Sequence, residues 1–334
     1  MPGLETPWET ASAEEVGLEG AAWNRSVLEA ETGTMFHAWE WVAAVARAFR
    51  RRPRHYALLD RKGAVKALFP VQEGRSGPFR TAYSPVTIVT PYGGPACARA
   101  DIPTAFRAIR VLQRKKGWHY LRMAPSPAAW SFGREFEGYE VLPGSTRVVP
   151  LGSEDAMWRA LSRSCRRKIG KADEAGVTIR DIQDFDFLDT YLSWGEKAYE
   201  RVGQAFPTPR ALYEALRRHV LPTGSLLVRG AFVADRPVTV EWFGLSGGTL
   251  YAIDSAMDRE AGVAGAGNKL TWETMRLAAE KGATQFDILG TNIPAISEYK
   301  QSFGGELVPA HNLESATRAF LLARKAIGKT RRRA

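Results

Sequence analysis

The chain has 334 residues, of which 45% are hydrophobic and 25% are charged. This length usually gives about two domains, and this composition is typical of a globular protein with a core. No apolar run approaches the roughly 18 residues of a membrane-spanning helix, and the polar N-terminus has no apolar segment typical of a signal peptide. The two cysteines, Cys97 and Cys165, exclude a disulfide framework. We therefore predict a cytoplasmic protein without stable membrane insertion.

The net charge of +10 is concentrated in basic blocks. Three runs hold much of it, at 50–52, 163–171 and 324–333. Such blocks raise the local concentration of polyanions such as nucleic acid or phosphorylated ligands. A basic balance also serves solubility, so both explanations of the total charge stay open.

The first half of the chain is predicted to be a β-rich unit that ends in one helix and one strand. In chain order the elements are strands at 54–59 and 64–72, β-like sequence at 83–89, a Gly/Pro loop at 91–95, a helix at 103–116 and a strand at 118–123. Gly117 is expected to end the helix, because glycine readily takes the left-handed conformation found there.

A basic helical stretch joins the two halves. Ser153 is predicted to cap its N-terminus, and apolar residues recur every four positions from Met157 to Ala172 as one buried stripe. Basic residues cover the other faces. Gly170 weakens this helix by about 1 kcal/mol relative to alanine, which allows a break there.

The second half repeats the element order of the first half more clearly. The predicted elements are helices at 186–199 and 209–221, strands at 225–233, 238–245 and 249–254, a glycine-rich loop at 255–267, a helix at 268–281, a strand at 285–289 and a last helix at about 315–325. The junction of helix, Lys-Gly and strand recurs, with Gly117 and Gly282 as its glycines. Such self-similarity predicts two copies of one α/β unit, with mixed sheets flanked by helices.

The sharpest motif is the glycine-rich loop before the helix at 268–281. Residues 259–264 fit an Arg/Gln-x-x-Gly-x-Gly/Ala pattern. Glycines let backbone N–H groups approach an anion, and a helix N-terminus adds partial positive charge. The loop is thus predicted to hold a phosphate or pyrophosphate of the donor, with a bare glycine-rich turn as the alternative. The residues assigned to this donor site are Arg259, Gly262, Gly265, Gly267 and Asn268.

Several further segments resemble one acyltransferase family. Ser-Cys-Arg-Arg-Lys-Ile stands at 164–169, Phe-Asp-Ile at 286–288 and Tyr-Lys-Gln-Ser-Phe-Gly-Gly at 299–305. With the β-β-β-loop-α-β order, they resemble the FemABX branch of the GNAT fold, whose members carry two tandem GNAT-like units. FemABX enzymes take an aminoacyl group from aminoacyl-tRNA and form a peptide bond, and relatives use acyl-CoA.

The resemblance implies an α/β fold of two tandem GNAT-like domains. The first, at 1–150, is expected to be degenerate because its loop lacks the arginine, and the C-terminal helix at 312–334 can pack on it. The second, at 151–311, is expected to carry the acyl-donor site. The implied reaction is amide-bond formation with aminoacyl-tRNA as co-substrate and no permanently bound cofactor; acyl-CoA is the alternative donor.

Catalytic roles are carried over only where this chain matches the family. Lys300 is expected to stabilise the tetrahedral oxyanion or hold a phosphate. Tyr251 is a candidate hydrogen-bond donor at the acyl group, and Asp287 a carboxylate that orients or deprotonates the amine. A surface lysine, a core tyrosine and a structural strand carboxylate are the respective alternatives. The remaining substrate contacts are assigned to Arg210, Tyr213 and Phe303.

The basic helix is the candidate contact for the tRNA acceptor stem. The residues assigned to its phosphates are Arg163, Arg166, Arg167 and Lys168. Phosphate contacts provide affinity without sequence choice and weaken as salt rises. A solvated helix face is the alternative, and a non-enzymatic nucleic-acid-binding protein is the third functional hypothesis.

Two departures from the family concern the acceptor. Ala124-Pro125 stands where the cell-wall enzymes often have Asp-Pro, and no lysine follows Trp41 in the early helix. Both favour a small-molecule amine over a nucleotide-linked cell-wall precursor. No metal site is predicted, because the five histidines lack ligand spacing, and the Gly-x-Ser-x-Gly run at 244–248 joins two strands, unlike a nucleophile elbow.

Overall fold

The computed structural model describes residues 7–87, 89–132, 136–183, 187–201, 203–290 and 294–331. The chain divides into two compact units. The first consists of Met1–Gly144 with Pro309–Ala334, and the second of Ser145–Val308. Among the described helices, none combines the length and apolar character that crossing a bilayer requires.

The N-terminal part of the first unit contributes most strands of one sheet. Its elements are β1 (Glu9–Ser12), α1 (Ala21–Glu29), α2 (Trp39–Ala48), β2 (Arg52–Leu59), β3 (Val65–Ser76), β4 (Phe79–Ser84), β5 (Ala96–Cys97), α3 (Ile102–Lys116), β6 (Tyr120–Met123) and β7 (Glu140–Leu142). Strands β1 to β4 pair antiparallel in sequence order, and β4 runs parallel to β6. The β-like sequence at 83–89 is a strand only as far as Ser84, because Pro85 follows and has no N–H to donate to a neighbouring strand. Position 88 lies outside the described residues.

The second unit is built around a seven-stranded sheet. Its elements are β8 (Ser145–Pro150), α4 (Glu154–Ala160), α5 (Arg163–Glu174), β9 (Val177–Asp181), α6 (Leu188–Glu200), α7 (Arg210–His219), β10 (Leu226–Val233), β11 (Arg236–Ser246), β12 (Thr249–Met257), α8 (Ala266–Glu280), β13 (Gln285–Asp287), α9 (Pro294–Gln301) and β14 (Glu306–Pro309). The strand order is β14-β8-β13-β12-β11-β10-β9. Strands β9 to β12 are antiparallel neighbours, and β12 with β13 form a parallel pair.

The chain ends in β15 (Asn312–Ala316) and α10 (Arg318–Arg331), which belong to the first unit. Strand β15 pairs with β6 and β7, so the first sheet has the order β1-β2-β3-β4-β6-β15-β7, with β5 beside β3. The prediction of a helix from about residue 315 is therefore wrong at its start. Leu313 and Ser315 are buried in alternation with more exposed neighbours, which is the two-residue period of a strand. Positions 186 and 332–334 of the predicted helices lie outside the described residues.

The basic helical stretch is broken at Ser162 and not at Gly170. Two serines cap its two parts: the Ser153 Oγ accepts from the Ala156 N–H of α4, and the Ser162 Oγ accepts from the Cys165 N–H of α5. A serine that satisfies an N-terminal N–H group starts a new helix at little cost, whereas Gly170 is tolerated inside α5.

In each unit one long helix covers the sheet. In the first unit α3 buries Phe106 and Leu112 against a cluster that includes Phe69. In the second, α8 buries Trp272 in a cluster with Phe286. Removing each such side chain from water contributes about 1.5–3 kcal/mol, which fixes helix and sheet as one body within each unit.

Candidate active site

Strands β12 and β13 separate where their pairing ends. Their last paired residues are Tyr251 and Asp287, whereas β12 continues to Met257. Just beyond this pair, Ile253 is an extra residue in β12 that has no partner in β11. Bulges are common beside active sites, and ligands of α/β proteins bind at the carboxyl ends of parallel strands. The opening beyond Tyr251 and Asp287 is therefore the candidate active site.

Lys300 of α9 reaches the end of β13. Its Nζ donates hydrogen bonds to the carbonyl oxygens of Leu289 and Gly290, the second at 2.6 Å. Leu289 has a φ of 52°, a left-handed conformation that costs a leucine about 1–3 kcal/mol and is most often retained at functional sites. Burial lowers the pKa of Lys300 to about 8, although the charges of Glu241 and Asp287 oppose this shift. Lys300 thus fixes strained backbone beside the opening and remains cationic at neutral pH.

Asp287 holds the same turn from the strand side. It is 3% exposed, and its Oδ1 accepts hydrogen bonds from the Thr146 hydroxyl and, at 2.9 Å, from the Leu289 N–H. Of the two roles that the sequence leaves open for Asp287, these contacts favour orientation over proton acceptance.

Glu241 is a functional candidate that sequence reasoning missed. This residue of β11 is buried, and its Oε2 accepts from the Thr271 hydroxyl at 3.1 Å. The same hydroxyl lies 3.1 Å from the Tyr299 hydroxyl, next to Lys300 in sequence. Burial raises the pKa of Glu241 to about 8, and the charge of Lys300 partly opposes this. The available signal was a single acid in a strand whose other residues are apolar or small.

The two aromatic candidates differ in what they contact. Tyr251 is 6% exposed on β12, and burial raises its pKa above the usual value, so it remains a neutral hydroxyl. Phe303 is completely buried, and its ring packs edge-on against Tyr299 with 5.2 Å between centroids. The assignment of Phe303 as a donor contact is therefore replaced by a packing role beneath α9.

The glycines of the loop serve helix packing as much as anion binding. Gly265 precedes α8 with a φ of 84°, and a side chain there would overlap the carbonyl oxygen of Lys168 in α5. Gly262 has a φ of 64° and open space around it, and Gly267 faces the Tyr299 hydroxyl. Asn268 is buried and its amide donates to the Cys165 sulfur at 3.4 Å, so it points into α5. Close approach of α5 thus explains Gly265 without a ligand.

Asp258 occupies part of the expected anion cradle. Its Oδ1 accepts from the N–H groups of Glu260 at 3.0 Å and Ala261 at 3.2 Å, and its Oδ2 pairs with Arg236. Those two N–H groups are therefore committed, and the carboxylate would repel a diphosphate that shares the loop. Arg259 is exposed at the rim.

Tyr213 and Arg210 belong to different surroundings. The Tyr213 hydroxyl donates to Asp254, which follows the bulge of β12, and its ring packs against Trp242 with 5.2 Å between centroids. Burial raises the pKa of Asp254. Arg210 instead forms ion pairs with Asp189 and Glu214 near the surface. The expected pair of substrate contacts is thus a site-shaping tyrosine and an arginine engaged elsewhere.

The four arginines and lysines assigned to tRNA phosphates also separate. Arg166 Nη1 donates to the carbonyls of Trp158 at 3.2 Å and Arg159 at 3.3 Å, so it caps the end of α4. The other three assigned residues are Arg163, Arg167 and Lys168. All three are exposed, and within the part of the chain that the structure describes none has an acidic partner within 4.0 Å. They form a basic face on α5 that continues to Lys171.

Comparisons with known proteins agree with this architecture. Residues 159–301 match the acetyltransferase (GNAT) domain family. The structure of FemX superposes with a TM-score of 0.71 at 12% identity, covering 94% of this chain and 98% of FemX. L-PGS from Bacillus licheniformis gives 0.55 at 11% identity over 92% and 95%. A tandem GNAT protein from the clavulanic acid biosynthesis pathway gives 0.50 at 12% identity over 92% and 98%. By sequence, no curated protein matches the chain.

These findings define a protein with the GNAT acyltransferase fold, whose second unit matches the GNAT family model over nearly its whole length. The FemABX-like resemblance that the sequence indicated is confirmed, since FemX shares the fold of nearly the entire chain. The predicted α/β class with mixed sheets flanked by helices is confirmed as well.

Proposed function

We propose that the second unit transfers an aminoacyl group from aminoacyl-tRNA to a small-molecule amine and so forms an amide bond. The observation that carries this proposal is the Lys300 ammonium, held beside the opening between β12 and β13. An ammonium has three N–H donors. Two are engaged by the Leu289 and Gly290 carbonyls, and we assign the third to the oxygen of the reacting carbonyl.

The reaction is a direct attack by the amine nitrogen on the ester carbonyl. The C–N bond forms, the ester C–O bond breaks, and the ribose oxygen leaves with the electron pair. The amine loses one proton and the departing oxygen gains one. A pKa near 8 suits Lys300 to both tasks, since it stays protonated at neutral pH and can still donate a proton. Holding the reactants in attack geometry can lower the barrier by about 7–11 kcal/mol.

The donor follows from the charges around the opening. The unpaired cations of α5 match a polyanion with many phosphates, and Asp258 opposes a compact diphosphate in the loop. The FemABX resemblance adds the same donor class, and the two cysteines are free and buried, which agrees with a cytoplasmic setting. Acyl-CoA is the second candidate donor. The acetyltransferase family match and the exposed Arg259 beside Gly262 favour it.

The acceptor is proposed to be a small amine because the cell-wall enzymes' carboxylate has no counterpart here. Ala124 stands at that position, is 6% exposed, and its carbonyl accepts from the Gly93 N–H at 2.7 Å. A buried methyl group cannot orient an acceptor through charge.

The deciding experiment titrates purified protein with aminoacylated total tRNA and with acetyl-CoA at two salt concentrations. The same protein is then incubated with radiolabelled aminoacyl-tRNA and a low-molecular-weight cell filtrate as the amine source. We expect salt-sensitive tRNA binding and RNase-sensitive label transfer, with transfer lost in Lys300→Gln and kept in Lys281→Gln, an exposed lysine at the far end of α8. Salt-tolerant acetyl-CoA binding without tRNA binding would replace the donor. RNA binding with no transfer from either donor would favour the non-enzymatic hypothesis.

A further inference from the structure

A cavity of about 500 Å³ lies within the first unit, independent of the opening between β12 and β13. It is bounded by β1, the strands β2 to β4, the start of α2 and the end of α3. Its volume falls in the range of about 300–1,000 Å³ typical of small-molecule sites. None of the functions assigned above uses it.

Five cationic side chains from separate elements converge on this cavity: Arg52, Arg54, Arg80, Lys115 and Lys116. Arg54 is paired with Glu73 at 3.4 Å, and Arg80 donates to the Lys116 carbonyl at 3.0 Å. Arg52 and Lys115 are exposed, and no acidic group of the described residues lies within 4.0 Å of either. Clustered like charges that the fold leaves without partners repel one another, so an anion would stabilise this arrangement.

An aromatic wall faces these cations. Trp39 is partly exposed, and its ring stacks on His55 with 3.9 Å between centroids and 16° between planes. The Trp39 backbone N–H is held by the Asn24 side chain at 2.8 Å, so the indole has a fixed position. His55 is buried, its Nε2 has no hydrogen-bond partner among the described residues, and burial lowers its pKa to about 4. The wall is therefore neutral at physiological pH.

We propose that this cavity binds a nucleotide unit, with its base against Trp39 and its phosphate among Arg52, Arg80 and Lys115. A rigid indole beside a basic groove is the combination that holds unpaired nucleotides, since stacking contributes about 1–3 kcal/mol per base and the cations bind the phosphate. The nucleotide unit is supplied by an unpaired RNA residue or by a free nucleotide. This site does not depend on the transfer reaction proposed for the second unit.

The test measures binding in the full chain carrying Arg163→Gln and Arg167→Gln, so that the basic face of α5 contributes little. The probes are a fluorescein-labelled single-stranded RNA hexamer, AMP and inorganic phosphate. Added to this background are Arg52→Gln with Lys115→Gln, the matched pair Arg61→Gln with Lys62→Gln on the β2–β3 turn, and Trp39→Leu. The residues in both charge pairs are exposed, so the fold tolerates the changes.

We expect the Arg52/Lys115 pair to weaken hexamer or AMP binding at least 10-fold, the Arg61/Lys62 pair less than 2-fold, and Trp39→Leu severalfold. Inorganic phosphate should bind far more weakly than AMP. Hexamer binding without AMP binding identifies RNA as the source, and tight AMP binding identifies a free nucleotide. Equal losses in the two charge pairs would overturn the proposal, as would equal affinity for phosphate and AMP.

Discussion

The two units contain the same parallel strand pair and treat its carboxyl end differently. In the first unit, β4 and β6 pair up to Ser84 and Met123, and backbone then continues between them. Gly93 forms a bridge with Pro125, and the Gly94 N–H donates to the Ser84 hydroxyl at 2.9 Å. In the second unit, β12 and β13 separate after Tyr251 and Asp287.

This difference shows how one architecture can keep or lose a site. A loop that supplies its own N–H and C=O groups fills the position where a ligand would bind in the first unit. The second unit places a lysine ammonium and a bulge there instead. The comparison supports the expectation that acyl transfer belongs to the second unit, and the following predictions test it from the largest expected effect to the smallest.

Replacing Lys300 should give the largest effect. Lys300→Gln removes the charge that we assign to the oxyanion, so transfer should fall about 10²–10³-fold, as for the loss of one oxyanion donor. Aminoacyl-tRNA binding should change less than twofold. Single-turnover transfer and filter binding measure the two quantities, with Lys281→Gln as the control. A loss of binding as large as the loss of transfer would assign Lys300 to donor binding instead.

A pair of glycines, one in each unit, sharpens the comparison. A side chain at Gly93 would overlap the Ser84 carbonyl, and one at Gly265 would overlap the Lys168 carbonyl at a φ of 84°. Gly93→Ala should destabilise the first unit by about 1–3 kcal/mol and leave the transfer rate of folded protein unchanged. Gly265→Ala adds left-handed strain of about 1–2 kcal/mol and should also reduce transfer.

Urea denaturation followed by transfer assays below the unfolding transition separates stability from activity in these variants. Gly262→Ala is the matched control, because it has a similar φ but open space around it and should cost only about 1–2 kcal/mol. Reduced transfer in folded Gly93→Ala would show that the first unit takes part in catalysis.

Stability should depend on pH through Glu241, whose pKa burial raises from 4.5 to about 8. Between these values the folded state keeps a proton that the unfolded state releases, so stability falls as pH rises, by at most about 1.4 kcal/mol per unit. Above pH 8 the lowered pKa of Lys300 acts in the opposite direction, because the unfolded state then binds more protons up to pH 10.5. Glu241→Gln should remove the decline between pH 4.5 and 8; an unchanged profile would contradict a protonated Glu241.

Sequence reasoning recovers local structure well and fails where tertiary contacts decide. The predicted strands of both units and the helices α3 and α8 are present because hydrophobic period and glycine ends are local signals. Ser162 was missed because its capping bond competes with an uninterrupted apolar stripe. Strand β15 forms through distant partners in β6 and β7. Of the site, the Lys300 motif was found, whereas Glu241 and Asp258 act through contacts that sequence spacing does not encode.

The smallest expected effect concerns the basic face of α5. Arg163 and Arg167 lie four residues apart, so their repulsion destabilises the helix by about 0.2–0.5 kcal/mol. Arg163→Gln with Arg167→Gln should therefore leave stability unchanged or slightly higher while weakening tRNA binding. If each arginine neutralises one phosphate of a duplex, the slope of log affinity against log salt should fall in magnitude by about 1.8. The matched pair Arg218→Gln with Lys281→Gln, also exposed on the second unit, should leave the slope unchanged. Equal changes in both pairs would mean that net charge, and not the face of α5, attracts the RNA, and the second unit would then lose its structural claim to a tRNA donor.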